Sequence, residues 1–253
     1  MREFLTSCGA ILRYHDMPGD GTPILFIHGL GSACSLDYPT AAASPQISGH
    51  RRLLVDLLGF GYSDRASAEQ YALAQQARHV ADMVQRLGVT RLHIFGHSMG
   101  GAVAIALADL IRDHVAGIIV AEGNLDGGGG STSRAVGAQS AEEFRAHGHA
   151  RMVAAERAAG NAAWAMSLHH SDPDAVHAAA LDLIRGGTPS WRELLYSFPF
   201  PKAYIFGERS LPDPDVDELA RHGVRVGIVP YAGHDMAVDN PVGLAEAVAA
   251  AIC

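Results

Sequence analysis

The chain has little cysteine, no run of basic residues, no long apolar segment and no internal repeat, and each absence removes a class of protein. Its three cysteines, Cys8, Cys34 and Cys253, stand far apart with no CxxC pair. Neither a disulfide framework nor a zinc site is expected from that spacing, and a reducing cytoplasm is the compartment it fits. Cys34 follows a glycine-rich stretch but has no activating partner nearby in sequence, so it reads as a small packed thiol. The formal net charge is −8, with no cluster of Lys and Arg. That balance argues against nucleic acid and anionic membranes as partners, because phosphate binding needs a basic stripe. No segment approaches the roughly 20 apolar residues that span a bilayer. Residues 1–10, with charges at Arg2 and Glu3, lack the apolar core of a secretory signal.

What is present suits a single enzyme-sized domain: 253 residues, 48% of them hydrophobic, with 28 glycines. Apolar runs of strand length alternate with longer segments of helical period, the pattern of a mostly parallel sheet with crossover helices. Strands are predicted near 9–14, 23–27, 52–56, 92–96, 116–121, 203–207 and 224–229. Between Glu69 and Leu87, the residues Leu73, Ala77, Val80, Val84 and Leu87 recur at spacings of three and four, which predicts an amphipathic helix packed on the sheet. Asn240-Pro241 supplies an N-cap and a first-turn proline for a closing helix. Residues 126–200 differ. They open with four glycines, Gly127 to Gly130, are rich in Ala and His, and show no strand, so they read as an inserted helical cap between core segments 1–125 and 201–253. The glycine run is either a hinge for that cap or a solvated loop.

The chemistry centres on Gly96-His97-Ser98-Met99-Gly100, preceded by an apolar strand and followed by a helix-like segment. The bare G-x-S-x-G pattern is expected about 0.2 times by chance at this composition, so the strand-turn-helix setting carries the weight. Flanking glycines permit a sharp turn that lifts the serine hydroxyl above the sheet and leaves the Met99 amide free to meet an oxyanion. A serine hydroxyl needs a base within hydrogen-bond reach. His234, in Ala232-Gly-His-Asp-Met236 after the last predicted strand, sits where such a base belongs. His28-Gly29-Leu30-Gly31 leaves another strand, and the Leu30 amide is the expected second oxyanion donor, with His28 propping the loop.

Taken in order, HGLG, the segment Asp56 to Arg65, GHSMGG and AGHDM resemble the α/β-hydrolase superfamily, and the resemblance covers nearly all of the chain outside the cap. It implies an α/β fold with a mostly parallel sheet, a helical cap after the sixth strand, a structural role for Asp56 to Arg65, and no cofactor. Many members carry the triad aspartate after the seventh strand, but here that segment reads Gly207-Glu208-Arg209-Ser210. The resemblance to members that take the acid from the sixth strand points instead to Glu122, with Asp126, Glu208 and Asp213 as alternatives. The cap histidines His147, His149, His169, His170 and His177 lack carboxylate or cysteine partners at ligand spacing, so they read as polar-face residues and no metal is expected. Trp164, Met166, Trp191 and Tyr196 are candidate pocket-wall residues.

The expected reaction is acyl transfer: Ser98 attacks a carbonyl, His234 takes and returns the proton, and water releases the acyl group. The substrate is expected to be a small-molecule ester or lactone. The segments around Glu122 and Gly207 to Asp213 are similar to small cap-bearing serine esterases, including enzymes that open macrolide lactones. Perhydrolysis, amide cleavage and carbon–carbon hydrolysis use the same constellation. A lactone receptor built on the same fold is the competing class, and the oligomeric state is left open.

Overall fold

The computed structural model describes residues 1–252; Cys253, read above as an isolated thiol, lies outside the described residues. The chain opens with β1 (Arg2–Leu5), β2 (Ile11–Met17) and β3 (Gly21–Ile27), then the short helices α1 (Cys34–Asp37) and α2 (Pro39–Ala42), and β4 (His50–Asp56). Helix α3 (Leu73–Arg86), β5 (Leu92–His97), α4 (Met99–Leu110) and β6 (Val115–Ala121) follow. A helical segment comes next, with α5 (Ser131–Gly137), α6 (Ala141–Glu143), α7 (His149–Ala158), α8 (Ala162–His170), α9 (Pro173–Arg185) and α10 (Trp191–Ser197). The chain then returns through β7 (Lys202–Gly207), α11 (Asp215–Arg221), β8 (Arg225–Val229), α12 (Met236–Asp239) and α13 (Pro241–Ile252).

The strands form one sheet in the order β1-β2-β4-β3-β5-β6-β7-β8. The pairs β1·β2 and β2·β4 are antiparallel, and every pair from β4·β3 to β7·β8 is parallel. The near-continuous apolar runs of β3 to β6 arise because both faces of this sheet are covered. Leu25, Ile27, Ile94, Ile118 and Val120 pack toward α3 and α4, whereas Ile24, Phe26, Phe95, Ile119 and Ala121 pack toward α2 and α13. That strict alternation is the period-two geometry of a strand.

The seven strands expected from the sequence are all present within a few residues, and β1 is an addition. Its four residues are mostly exposed and include Arg2 and Glu3, so no apolar pattern announces it; it exists by pairing with β2. Residues Ala68–Tyr71 form a 3₁₀ turn, and α3 begins after them. Asn240 Oδ1 accepts from the Gly243 amide at 2.9 Å, the N-cap that the sequence predicts for α13. The glycine run is tied down rather than free, since the Gly128 amide donates to Ile184 O at 2.8 Å and Arg134 donates to Gly129 O at 2.6 Å.

Asp56 organises the loop that follows β4. Its carboxylate accepts from the Ser35 amide and hydroxyl at 2.9 and 2.6 Å and from the Tyr62 amide at 3.0 Å. Gly61 has φ +53°, and a Cβ there would collide with the Asp56 carboxylate. Gly61→Ala should therefore lower stability by about 2 kcal/mol, through strain at positive φ and displacement of a buried carboxylate. A denaturant midpoint indistinguishable from wild type would show that the loop relaxes without cost.

Because β3, β5, β6, β7 and β8 run parallel, their carboxyl ends share one edge. His28 to Gly31 leave β3 there, Ser98 leaves β5, Glu122 leaves β6, and His234 follows β8. The edge opposite carries none of these groups.

Candidate active site

Ser98 joins β5 to α4 at φ +52° and ψ −123°, a conformation that L-residues rarely adopt and that costs of order 1–3 kcal/mol. The surrounding backbone holds it there. The Ser98 amide donates to Ala121 O at 2.9 Å, and Ser98 O accepts from the Gly101 and Asn124 amides at 2.8 and 3.3 Å. Both glycines of the motif are sterically required: a Cβ at Gly96 would strike Gly100 O, and one at Gly100 would strike the carbonyls of Ile27 and His28. The turn is tight because β5, α4 and the loop after β3 meet without room for a side chain.

Glu122, the residue just past β6, also has positive φ, at +41°. Its Oε2 accepts from His234 Nδ1 at 2.8 Å, and its Oε1 accepts from the Gly207 amide at 2.8 Å. The carboxylate is only 11% exposed, whereas the His234 side chain is 51% exposed. Burial alone would raise the Glu122 carboxyl, but hydrogen bonds from His234, Ser210 and Gly207 outweigh burial and hold it at about 2. Desolvation pulls the His234 imidazole down, and the Glu122 hydrogen bond and charge more than reverse this, raising it above its ordinary value. With Nδ1–H committed to Glu122, the Nε2 lone pair is the free face of the ring.

His97 supplies a second hold on this loop. Burial, reinforced by the nearby His234, depresses its imidazole to about 3, so the ring is neutral. Its Nε2–H donates to His234 O at 2.9 Å, and the two rings lie 4.7 Å apart. His97, the residue before Ser98, thus ties the loop carrying His234 to the turn carrying Ser98.

Leu30 lines the same cleft as Ser98, and Met99 follows Ser98 directly in the chain. Met99 opens α4, where the first amides have no intrahelical acceptor, and Leu30 N takes part in none of the loop hydrogen bonds around it. The loop is packed close, since a Cβ on Gly29 would sit 3.2 Å from Ser98 Cβ. His28 is fully buried beneath it; its Nε2 accepts from the Leu57 amide at 3.0 Å and its Nδ1–H donates to Gly29 O at 2.8 Å. Helix α8 presses on the loop from above. Trp164 Nε1 donates to Leu30 O at 3.0 Å, Ser167 Oγ donates to Asp37 at 2.9 Å, and Leu168 packs against Gly31.

Ser98, Glu122 and His234 open on one cleft of about 440 Å³, together with Leu30, Asn124, Glu156, Asn161, Trp164 and Asp235. Among the described residues no hydrogen bond joins Ser98 Oγ to His234 Nε2, a separation common in unliganded sites that tighten around substrate. Larger hollows of about 670 and 640 Å³, beside α3 and α7, contain none of the three groups.

The other candidate residues lie elsewhere. Asp126 is paired with Arg192 at 2.7 Å, Glu208 accepts from the Tyr231 amide at 2.7 Å, and Asp213 accepts from the Asp215 amide at 2.8 Å. None of these three carboxylates bonds His234, which is held by Glu122. Of the aromatic and Met candidates, Trp164 alone lines the cleft. Met166 is exposed, Trp191 is buried in the core, and Tyr196 stacks on His222 with centroids 4.0 Å apart. Cys34 is buried, with its thiol donating to Phe26 O at 3.2 Å, and burial pushes its pKa up. His149 and His177 are committed to Leu168 O and Gln139 O, both at 2.9 Å. Among the described residues no three His, Cys, Asp or Glu side chains are placed to hold a metal, and no helix is long and apolar enough to cross a membrane. Glu156, Asn161 and Asp235 were not candidates from sequence; only Asp235, adjacent to His234, had a signal that could have found it.

A mostly parallel sheet whose carboxyl edge presents a serine turn after β5, an acid after β6 and a histidine loop after β8 defines a hydrolase class of fold. Residues 22–165 match the family described as alpha/beta hydrolase fold, and the chain belongs to that family. In sequence it is similar to the 2-hydroxymuconate semialdehyde hydrolase of Pseudomonas putida, 42% identical over 108 residues, which are 42% of this chain and 37% of that protein. The alignment thus spans little more than a third of that relative's length. In structure it is similar to a thermophilic esterase from Thermogutta terrifontis, with a TM-score of 0.80 at 23% identity over 98% of this chain and 96% of that one. It is also similar to the N-acyl homoserine lactonase AidH, with a TM-score of 0.76 at 19% identity over 98% and 96%. At these identities the structural likeness establishes the fold.

Proposed function

We propose that the protein is a serine hydrolase that cleaves a carboxylic ester or lactone through an acyl-enzyme. The observation that carries this reading is the 2.8 Å bond from His234 Nδ1 to a buried, ionised Glu122, in the cleft that also receives Ser98 on its strained turn. Ser98 Oγ attacks the carbonyl carbon as His234 Nε2 takes its proton, and the imidazolium that forms is stabilised by Glu122. The Leu30 and Met99 amides receive the negative oxygen of the tetrahedral intermediate, each contributing about 3 kcal/mol. Collapse returns the proton to the leaving alkoxide, and water then repeats the sequence on the acyl-enzyme. In a lactone the alcohol and the acyl group belong to one molecule, so the ring opens before hydrolysis.

In this reading residues 126–200 form a cap over the cleft, and α8 is its working surface. Trp164 fixes the Leu30 carbonyl between two glycines that would otherwise leave the loop loose, which keeps the neighbouring amide aimed. Trp164→Phe, which removes the hydrogen bond and retains most of the ring, should lower kcat by about fivefold with KM little changed, the effect of about 1 kcal/mol. Loss appearing wholly in KM would assign Trp164 to ground-state binding instead.

Hydrolysis of a short p-nitrophenyl ester and a lactone panel, with macrolides and acyl homoserine lactones included, tests the reaction class and ranks substrates. The similarity to the 2-hydroxymuconate semialdehyde hydrolase favours a second reading, carbon–carbon hydrolysis at the same serine. Turnover of a vinylogous 1,5-diketone with no turnover of any ester would select it.

A further inference from the structure

We infer that the Ser98 cleft selects substrates bearing a cationic group, such as an ammonium, and that Glu156 and Asp235 recognise it. The inference rests on the hydrolase reading above and names the substrate class of that same site. Its basis is the charge of the cleft wall. Glu156, from α7, and Asp235, beside His234, both line the cleft, and among the described residues no lysine or arginine does. Among the described residues neither carboxylate has a salt-bridge partner. Glu156 Oε2 accepts a neutral hydrogen bond from Asn161 Nδ2 at 2.7 Å, which holds the side chain in place without cancelling its charge.

Asp235 stands among other charges. Burial pushes the Asp235 carboxyl up; His234 pulls it down, and Asp239, Glu122 and Glu156 push it up further. Like charges gathered in a partly dehydrated cleft are a standing cost that a bound cation relieves and a bound anion increases. Trp164 lines the same cleft, and an indole ring also attracts an ammonium group. Much of the remaining wall is amide and hydroxyl, including Asn124 and Thr132, with Leu30 and Leu183 as aliphatic contributors. A cleft of this make-up offers poor purchase to a carboxylate, and good purchase to a polar ester or lactone with a protonated amine.

Three esters of similar size separate the alternatives: butyrylcholine, its neutral carbon analogue 3,3-dimethylbutyl butyrate, and the anionic monobutyl succinate. Calorimetric titration of Ser98→Ala measures binding without turnover, and kcat/KM of the wild type measures selection in the reaction. Butyrylcholine should bind at least tenfold more tightly than the neutral ester, and the anion more weakly still, with the gap narrowing in 1 M salt. Glu156→Gln and Asp235→Asn should each reduce the cation-to-neutral ratio at least threefold. Equal binding of the three esters, or a preference that survives both substitutions, would overturn the assignment. Charge-blind binding with Ser98-dependent turnover removes this inference and leaves the hydrolase reading intact. Cation-selective binding with no turnover of any ester keeps the selectivity and removes the hydrolase reading.

Discussion

Ser98→Ala should lower kcat/KM for a p-nitrophenyl ester by about a thousandfold or more, leaving the residual catalysis that oxyanion donors and binding supply without a nucleophile. The size of the loss follows from the proposed mechanism, in which Ser98 is the hydroxyl that shares the cleft with the His234–Glu122 pair. Cys34 is buried with its thiol turned toward Phe26 O. A companion substitution separates chemistry from strain. Ser98 sits at φ +52°, so Ser98→Gly should be equally inactive yet more stable than Ser98→Ala by about 1 kcal/mol, because glycine adopts that conformation without cost. Inactivity with no stability difference between the two variants would mean that the turn relaxes in solution. Activity retained in both would remove Ser98 from the mechanism.

Glu122→Gln should lower kcat by about 10²- to 10⁴-fold with KM much less affected. The carboxylate does two things: it accepts the Nδ1 proton, which fixes the productive tautomer, and its charge stabilises the imidazolium. A glutamine amide can present its NH₂ to Nδ1 and favour the opposite tautomer. The pH profile carries a second signature. His234 must be neutral to act as a base, so activity rises as pH rises through its pKa, and the raised pKa places that midpoint above about 6.5. Removing the negative charge of Glu122 removes what raises it, so the residual activity of Glu122→Gln should have its midpoint at lower pH than the wild type. A large loss of kcat with an unmoved midpoint would indicate that Glu122 orients the ring without acting through charge. Near-normal turnover would return the acid to Asp126, Glu208 or Asp213, each of which would have to leave the contacts that now hold it.

Those alternatives show where the sequence is informative and where it stops. The alternation of apolar runs and helical periods carries the sheet, because strands covered on both faces carry near-continuous apolar runs, as Ile24–Ile27 in β3, Leu53–Val55 in β4 and Val115–Ala121 in β6 do. The order of HGLG, GHSMG and AGHD is legible for the same topological reason: parallel strands deliver their carboxyl ends to one edge, whatever lies between them. The acid was narrowed by an absence, the missing aspartate after β7, but Glu122 was not unique on that ground. Its distinguishing features are a backbone at φ +41° and a hydrogen bond to the Gly207 amide, neither of which a linear pattern displays.

Contacts across the helical segment were less legible. Trp164 and Leu30 are 134 residues apart, and only the docking of α8 on the loop after β3 brings the indole to the carbonyl. Trp191 and Tyr196 are aromatics of the same apparent kind, yet one fills the core and the other stacks on His222 beyond the cleft. Glu156 gave no sign at all, since a glutamate on a polar helix face is ordinarily solvated; its place in the cleft follows from how α7 packs. β1 escaped notice because an edge strand with charged residues is defined by its partner rather than its own pattern.

The most direct test of the central claim is covalent trapping of the nucleophile. Incubation with a p-nitrophenyl alkylphosphonate, followed by intact mass and peptide mapping, should give one adduct per chain on Ser98, with release of nitrophenol, and none in Ser98→Ala. Labelling should slow in Glu122→Gln, because His234 would no longer be held as the base. An adduct on another residue, or continued labelling of Ser98→Ala at the wild-type rate, would contradict the account.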